Sequence, residues 1–557
     1  MTATASYVHG ASTQPLWGET IGAMLDRVVA LHSERPALVV RAQGVRLSYR
    51  EFHAQVERVA AGLLALGLAP GDRVGIWAPN RAEWVVLQFA APKAGLILVN
   101  INPAYRTHEL EYSLNKVACR ALVLARRFKT SHYLDMLGEL APELASAELG
   151  CLQSVRLPAL RDVILLGDEA APGTRSWSQL AALGDDAALA KLHAIESTLA
   201  FDDPVNIQFT SGTTGAPKGA TLTHHNIVNN GWFIGEAMRL TEHDRLCIPV
   251  PFYHCFGMVL GNLACVTHGA CMVIPGEGFD ALATLETVAA EKCTGLHGVP
   301  TMFIAELEHP RFAEFDLSSL RTGIMAGSPC PIEVMRRVVS EMHMAEITIA
   351  YGMTETSPVS FQSVTDDPIE RRVNSVGRIH PHLEVKLIDE AGRIVPRGTS
   401  GELCTRGYSV MLGYWGEDAR TREAIDPARW MHTGDLAEID AEGYCRIVGR
   451  LKDLIIRGGE NVYPREIEEF LYTHAKVLDV QVFGVPDAKF GEQVCAWVRL
   501  REGSQATEAE IQDYCRHHLA HYKVPHYVRF VDAFPMTVTG KVQKYLMRKA
   551  MADELTS

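Results

Sequence analysis

The sequence lacks paired cysteines. Its 12 cysteines stand singly from Cys119 to Cys515, with no C-x-x-C spacing and no cysteine/histidine ligand cluster along the chain. That argues against a disulfide scaffold or a zinc-finger framework and leaves reduced, cytosolic thiols as the expectation. Positive charge is also short: 66 acidic against 53 basic residues give a formal charge of -13, the wrong sign for a nucleic-acid or anionic-membrane surface. Any anionic substrate must then be held by local cations. There is no internal repeat, no low-complexity tract and no clean apolar run. The most hydrophobic window, Trp84 to Val99, is interrupted by Gln88, Pro92, Lys93 and Gly95, short of the roughly 20 apolar residues of a membrane span. It reads as a buried helix running into a strand. The first 20 residues show no basic stretch before an apolar core and the last five, DELTS, match no retention or peroxisomal address, so the cytoplasm is the expected compartment.

What is present is a chain of 557 residues, 47% hydrophobic and 21% charged, enough for two or more globular domains. Strand-like runs at 72–78, 119–125 and 161–167 alternate with helical patterns such as 48–67, which predicts α/β layers with mostly parallel sheets. Ser48 with Glu51 three residues on is a helix-opening pair, and Gly67 closes the segment. From about residue 380 short strands and tight turns take over; "DEAG" (389–392) and "DAEG" (440–443) each sit between apolar runs, as hairpin turns do. Beyond Arg450 a helix, two strands, a helix and a strand predict a compact α+β domain. The expected organisation is an N-terminal domain over 1–450 with a β-rich part at about 380–450, a hinge at 451–453 and a C-terminal domain over 454–557.

Four stretches carry chemistry. "FTSGTTGAPKG" (209–219) follows a predicted strand and precedes a predicted helix with Thr223 as N-cap. Glycines that turn N–H groups inward, hydroxyl donors and one lysine suit a polyphosphate, although a flexible linker has the same composition. Pro217 before Lys218 breaks the Walker A pattern. In "YGMTETSP" (351–358), Thr354 and Glu355 could meet Mg²⁺ and phosphate oxygens or merely cap a turn. In 430–470, Asp435 and Arg450 could hold ribose hydroxyls, or "TGD" could be a surface turn. In "PMTVTGKVQKYLMRK" (535–549), Lys541 follows a glycine in a tight turn, where a lysine delivers charge with little positional freedom; alone it reads as a surface residue.

In this order and spacing the four stretches resemble the adenylate-forming superfamily of acyl- and aryl-CoA synthetases, peptide-synthetase adenylation domains and luciferases. "NIQFTSGTTGAPKGATLTHHNIVNN", "PFYHCFG", "GYSVMLGYW" and "IIRGGENVYPREIE" are most similar to its medium-chain fatty acyl-CoA synthetase-like branch. The resemblance implies a large N-terminal domain of two α/β halves plus a small β-barrel, and a mobile C-terminal domain. It implies two steps: a carboxylate attacks the α-phosphate of ATP, releasing pyrophosphate, and the thiol of CoA then displaces AMP. Carried over position by position, Thr210, Ser211, Gly212, Thr213, Thr214, Gly215 and Lys218 grip the β- and γ-phosphates. Thr354 and Glu355 contact phosphate and Mg²⁺. Gly327, Ser328 and Pro329 line the adenine, Tyr351 with Gly352 beside it stacks on that ring, and Asp435 with Arg450 holds the ribose. Lys541 reaches the acyl carboxylate and the α-phosphate. Lys452 stands at the hinge, and Gly458, Gly459 and Glu460 belong to the loop that serves CoA after the C-terminal domain rotates.

By the same resemblance the acyl pocket is built from Trp232, Phe233, Met238, His254, Phe256, Val259, Val299, Met325, Ala326 and Met353, an apolar set without a cation to balance an amino group. The implied activity is an ATP-dependent acid:CoA ligase for short- to medium-chain fatty acids. An adenylating enzyme that loads a carrier protein in trans, an aryl- or oxo-acid CoA ligase, and a luciferase-type oxygenase are the alternatives. A nucleotide scaffold without chemistry is disfavoured, because Lys541 and Glu355 are both present.

Overall fold

The computed structural model describes residues 4–210, 217–328, 330–457, 460–487, 489–516, 518–537 and 541–556. Two large sheets dominate. The first has eight strands, and its centre is parallel: Ile97–Asn100, Arg73–Trp77, Ala121–Leu124 and Asp162–Leu165 lie side by side. Pro204–Thr210 adds in parallel beside Ile97–Asn100, and Lys218–Thr223 then turns back antiparallel. The second has nine strands with a parallel centre from Pro36–Val40 through Cys271–Ile274, Arg245–Cys247, Gly295–Gly298 and Thr322–Ala326 to Glu346–Gly352. Both centres are near-continuous apolar runs, as sheets covered on two faces require.

Helices fill the space between the sheets. Tyr49–Ala65 opens with the expected capping box, Ser48 and Glu51 satisfying each other's backbone N–H groups, and Gly67 takes the left-handed conformation after it. The window 84–99 is, as read, a helix (Ala82–Lys93) followed by the strand Ile97–Asn100. Lys93 is 1% exposed. Burial opposes its charge, but Asp26 at 2.7 Å and Glu196 at 2.6 Å more than offset that and raise its pKa. In the stretch after the phosphate-type loop, Thr223 caps the helix His224–Met238 as predicted, while 218–223 is strand.

The β-rich part is a five-stranded antiparallel sheet in the order Tyr7–His9, Leu383–Ile388, Gly401–Gly407, Met431–Ile439, Cys445–Arg450. It differs from the expected barrel in being open, since its two edge strands do not pair with each other. Closure needs long, tilted strands, and one edge here has three residues. That edge comes from the N-terminal segment, 374 residues before Leu383 counted from His9, and no local pattern announces it. The other edge is covered by the helix Pro464–Tyr472, whose Arg465 donates to the carbonyl of Ile447 at 3.1 Å; covering an edge removes a template for aggregation. The C-terminal region has its own mixed sheet, built on the long hairpin of Val477–Asp487 and Gly491–Leu500. Its apolar clusters, around Ile467, Val482 and Val498 and around Phe483, Trp497 and Met547, are distinct from those of the large sheets.

Candidate active site

The site lies where strands of both large sheets end, the usual binding crevice of open α/β sheets. Thr210 and Lys218 face each other across the antiparallel pair that frames the glycine-rich loop; Ser211, Gly212, Thr213, Thr214 and Gly215 fall outside the described residues. Lys218 Nζ lies 4.8 Å from the centre of the Tyr414 ring. Tyr414 Oη donates to Glu355 Oε1 at 2.9 Å, and Thr210 Oγ1 is 3.5 Å from the same oxygen. Glu355 and Thr354 sit buried on the 3₁₀ turn Thr354–Thr356, one residue beyond the strand Glu346–Gly352. Cys255 Sγ lies 2.9 Å from Gln208 Oε1 and 3.5 Å from Thr354 Oγ1, tying the two sheets together behind the site.

Gly327 and Ser328 follow the strand Thr322–Ala326. Gly327 has φ +91°, and a Cβ there would lie 3.1 Å from Val299 Cγ1 and 3.8 Å from Lys541 Cε. The lysine from the far end of the chain therefore stands beside it. Burial, then the like charge of Arg450, lower the Lys541 pKa, while Glu355 and Asp435 pull the other way. Its backbone is fixed by a two-way pairing with Thr537: Lys541 N donates to Thr537 Oγ1 at 3.1 Å, and Thr537 N donates to Lys541 O at 2.8 Å. Asp435, 5% exposed, accepts from Tyr351 Oη at 2.5 Å and Arg450 Nε at 2.9 Å. Burial and that carboxylate push the Tyr351 hydroxyl well above the usual phenol range. Gly352 has to be glycine, since a Cβ would meet Pro358 O at 1.7 Å. Pro329 lies outside the described residues.

His254 is pushed down to about 3 by burial and by the positive charge of Lys541, so its ring is neutral at pH 7. Its Nδ1 accepts from Phe256 N at 3.2 Å, which leaves the proton on Nε2.

The ten pocket residues do not all converge. Phe256, Val259, Val299, Ala326 and Met238, with half-buried Met353 against them, belong to one large apolar cluster of the N-terminal region; Phe256 is tied to His254, and Val299 stands beside Gly327. Phe256 and Val259 ride on a π-helical segment, Phe256–Leu263, that no propensity announces. Met325 packs into a different cluster from Ala326, because adjacent residues of a strand point to opposite faces. Met238 accepts from Thr322 Oγ1 at 3.2 Å through its carbonyl, at the start of the strand whose other end carries Ala326, so it sits at the far end of the sheet. Trp232 stacks on His268 at 4.5 Å and lies tilted against Trp17 at 4.4 Å; Phe233 packs 5.8 Å from His382 and 6.0 Å from Tyr408.

Lys452 is exposed on the turn between the small sheet and the C-terminal sheet, where Asp453 N and Leu454 N both donate to Arg450 O. Glu460 is exposed and pairs with Arg457 across a two-stranded turn; Gly458 and Gly459 lie outside the described residues. The sequence reading missed Tyr414, Cys255 and Gln208. Tyr414 sat inside the quoted stretch "GYSVMLGYW", but only the pairing of Gly413–Tyr414 with Lys218–Thr223 brings it to Glu355.

Residues 25–415 match the family described as AMP-binding enzyme, and residues 466–541 match the AMP-binding enzyme C-terminal domain. The chain is 50% identical over 559 residues to the medium-chain acyl-CoA ligase ACSF2, mitochondrial, of Danio rerio, covering 100% of this chain and 92% of the relative. It is 50% identical over 531 residues to the protein named "Putative acyl-CoA synthetase YngI" of Bacillus subtilis (strain 168), covering 95% and 96%. Among solved structures, the anthranilate CoA ligase AuaEII in complex with anthranoyl-AMP superposes with a TM-score of 0.85 at 26% identity, over 98% of this chain and 99% of that one.

Proposed function

Because the chain belongs to the AMP-binding enzyme family, we propose that it is an ATP-dependent acid:CoA ligase that makes acyl-CoA through an acyl-adenylate, on medium-chain fatty acids. The observation that carries this reading is the place of Lys541 beside Gly327, where the charges of Glu355 and Asp435 act on it. A carboxylate is ionised at neutral pH and needs no base to attack phosphorus; the barrier is charge repulsion and alignment. Lys541 answers both, bridging the incoming carboxylate and the α-phosphate from a tethered turn. The negative charge of ATP works against the causes that depress the lysine's pKa. Asp435, held by Tyr351 and Arg450, receives the ribose hydroxyls; Gly327 and Ser328 admit the adenine edge; Lys218 steadies the departing pyrophosphate. Glu355, a buried carboxylate beside Thr210 and Thr354, fits a Mg²⁺ ion otherwise held by ATP oxygens and water, which when bound neutralises phosphate charge.

The neutral His254 and the cluster of Phe256, Val259, Val299, Ala326 and Met353 offer an acyl chain an apolar wall with no cation, which supports fatty over amino acids. For the second half-reaction, rotation about Lys452 withdraws Lys541 and brings the 458–460 loop toward the site, where glycines let the pantetheine arm approach the backbone. We assign the enzyme to the cytoplasm, the compartment that suits single reduced cysteines. Among the described residues no helix is long and apolar enough to cross a membrane. The test is formation of AMP and acyl-CoA from ATP, CoA and acids of graded length. Turnover peaking at medium chain length is expected, and ATP hydrolysis without acyl-CoA for every acid sinks the reading.

A further inference from the structure

The small sheet brings together three side chains that the nucleotide site does not use. Cys404 on the strand Gly401–Gly407 pairs directly with His432 on Met431–Ile439. Glu402 precedes Cys404 by two residues and so shares its face. Cys404 Sγ is 3.6 Å from His432 Nδ1, and Glu402 Oε2 is 3.2 Å from the same nitrogen. All three atoms lie within 4.8 Å of one another, and among the described residues no other trio of His, Cys, Asp or Glu does this.

A hydrogen bond between Nδ1 and the carboxylate satisfies that pair; it leaves the thiol, a weak donor and weak acceptor, only a long contact with the same nitrogen. A catalytic relay fails: it needs the carboxylate and the sulfur on different ring nitrogens, and Cys404 is fully buried behind Ile388 and Trp430. A metal ion uses all three at once. With zinc bonds of about 2.3 Å to sulfur and about 2.0–2.1 Å to nitrogen or oxygen in a tetrahedron, the S···N edge should be about 3.6 Å and the N···O edge about 3.3 Å. The observed edges are 3.6 Å and 3.2 Å.

We propose that Glu402, Cys404 and His432 form a three-ligand zinc site on the small sheet, with water as the fourth ligand on the half-exposed side of Glu402 and His432. On binding, the Cys404 S–H bond breaks, the proton goes to solvent and the sulfur lone pair is given to the metal; no electron changes hands. The site cross-links the strands Gly401–Gly407 and Met431–Ile439, and the second of these also carries Asp435.

The test uses the full chain with Cys151→Ser, which removes the exposed cysteine, stripped by a chelator and titrated with Co²⁺ and then Zn²⁺. One equivalent of Co²⁺ with a thiolate charge-transfer band and tetrahedral visible bands, displaced by Zn²⁺, is expected. Cys404→Ala should abolish the band, and His432→Ala should weaken binding at least tenfold. Zn²⁺ should raise the unfolding temperature of the parent and not of His432→Ala. If Cys404→Ala fails to fold, the half-exposed His432→Ala carries the test. Metal uptake without a thiolate band, a band that survives Cys404→Ala, or equal affinity in His432→Ala overturns the proposal.

Discussion

The strand Met431–Ile439 serves two regions of unlike character. At Asp435 it meets Tyr351 and Arg450 in the proposed nucleotide crevice; at His432 it meets Cys404 and Glu402 in the small sheet. The crevice gathers residues from both large sheets and the C-terminal region around charge, and each of its parts sits in a recognisable local motif. The small-sheet trio comes from two neighbouring strands, and nothing in the chain marks it. Chemistry that needs glycine turns and a tethered lysine leaves a local imprint, whereas chemistry that needs only strand adjacency leaves none.

The contrast can be broken most forcefully at Lys541. Lys541→Ala should lower the adenylation rate by roughly 10²–10³-fold, the scale for losing one preorganised cation or donor, while thioester formation from supplied acyl-adenylate persists; equal loss of both half-reactions in a rapid-quench assay would overturn the assignment. Next comes Asp435→Asn. It leaves Arg450 and Tyr351 without their anion, and a loss of about 1–3 kcal/mol should raise the KM for ATP roughly 5- to 150-fold with little change in the KM for the acid.

The interior also holds histidine differently from the trio. His224, His297 and His380 are buried and pushed down to about 3, 4 and 3, first of all by desolvation. Below about pH 6.5 the unfolded chain binds protons at these positions and the native chain does not, so stability is present above that pH and declines as pH falls toward 4. Each contributes at most about 1.4 kcal/mol per pH unit. Urea unfolding at pH 7 and pH 5 should show the loss; a midpoint that holds steady or rises at pH 5 contradicts it. For the same reason kcat/KM should show no inflection from His254 between pH 5 and 8, checked by comparing the profile with that of His254→Asn.

The smallest expected effect sharpens the comparison. Glu402→Gln should leave adenylation within about twofold of wild type, because the trio stands apart from Asp435 on the same strand; a large rise in the KM for ATP would show the two regions to be coupled.

Much of the fold was legible. The capping box at Ser48, the N-cap at Thr223 and the helix-to-strand window 84–99 each depend on contacts within a few residues, and the structure has them. The hairpin at 440–443 is of the same kind. The proposed acyl wall was half legible. Apolar character is visible in a sequence, but the face a residue takes is not: Met325 and Ala326 are neighbours in the chain and belong to different cores.

The sequence by itself determined the capped helices, the order of the four motifs and the residue types that adenylation needs, since each is set by short-range geometry and by side-chain chemistry. Only the tertiary structure decided that Tyr7–His9 closes one edge of a sheet begun 374 residues later, that Tyr414 holds Glu355, and that Cys404 and His432, 28 residues apart, face each other. Such pairings depend on which strands the whole core brings side by side, and the entropy of closing a long loop is nearly indifferent to which partner is chosen.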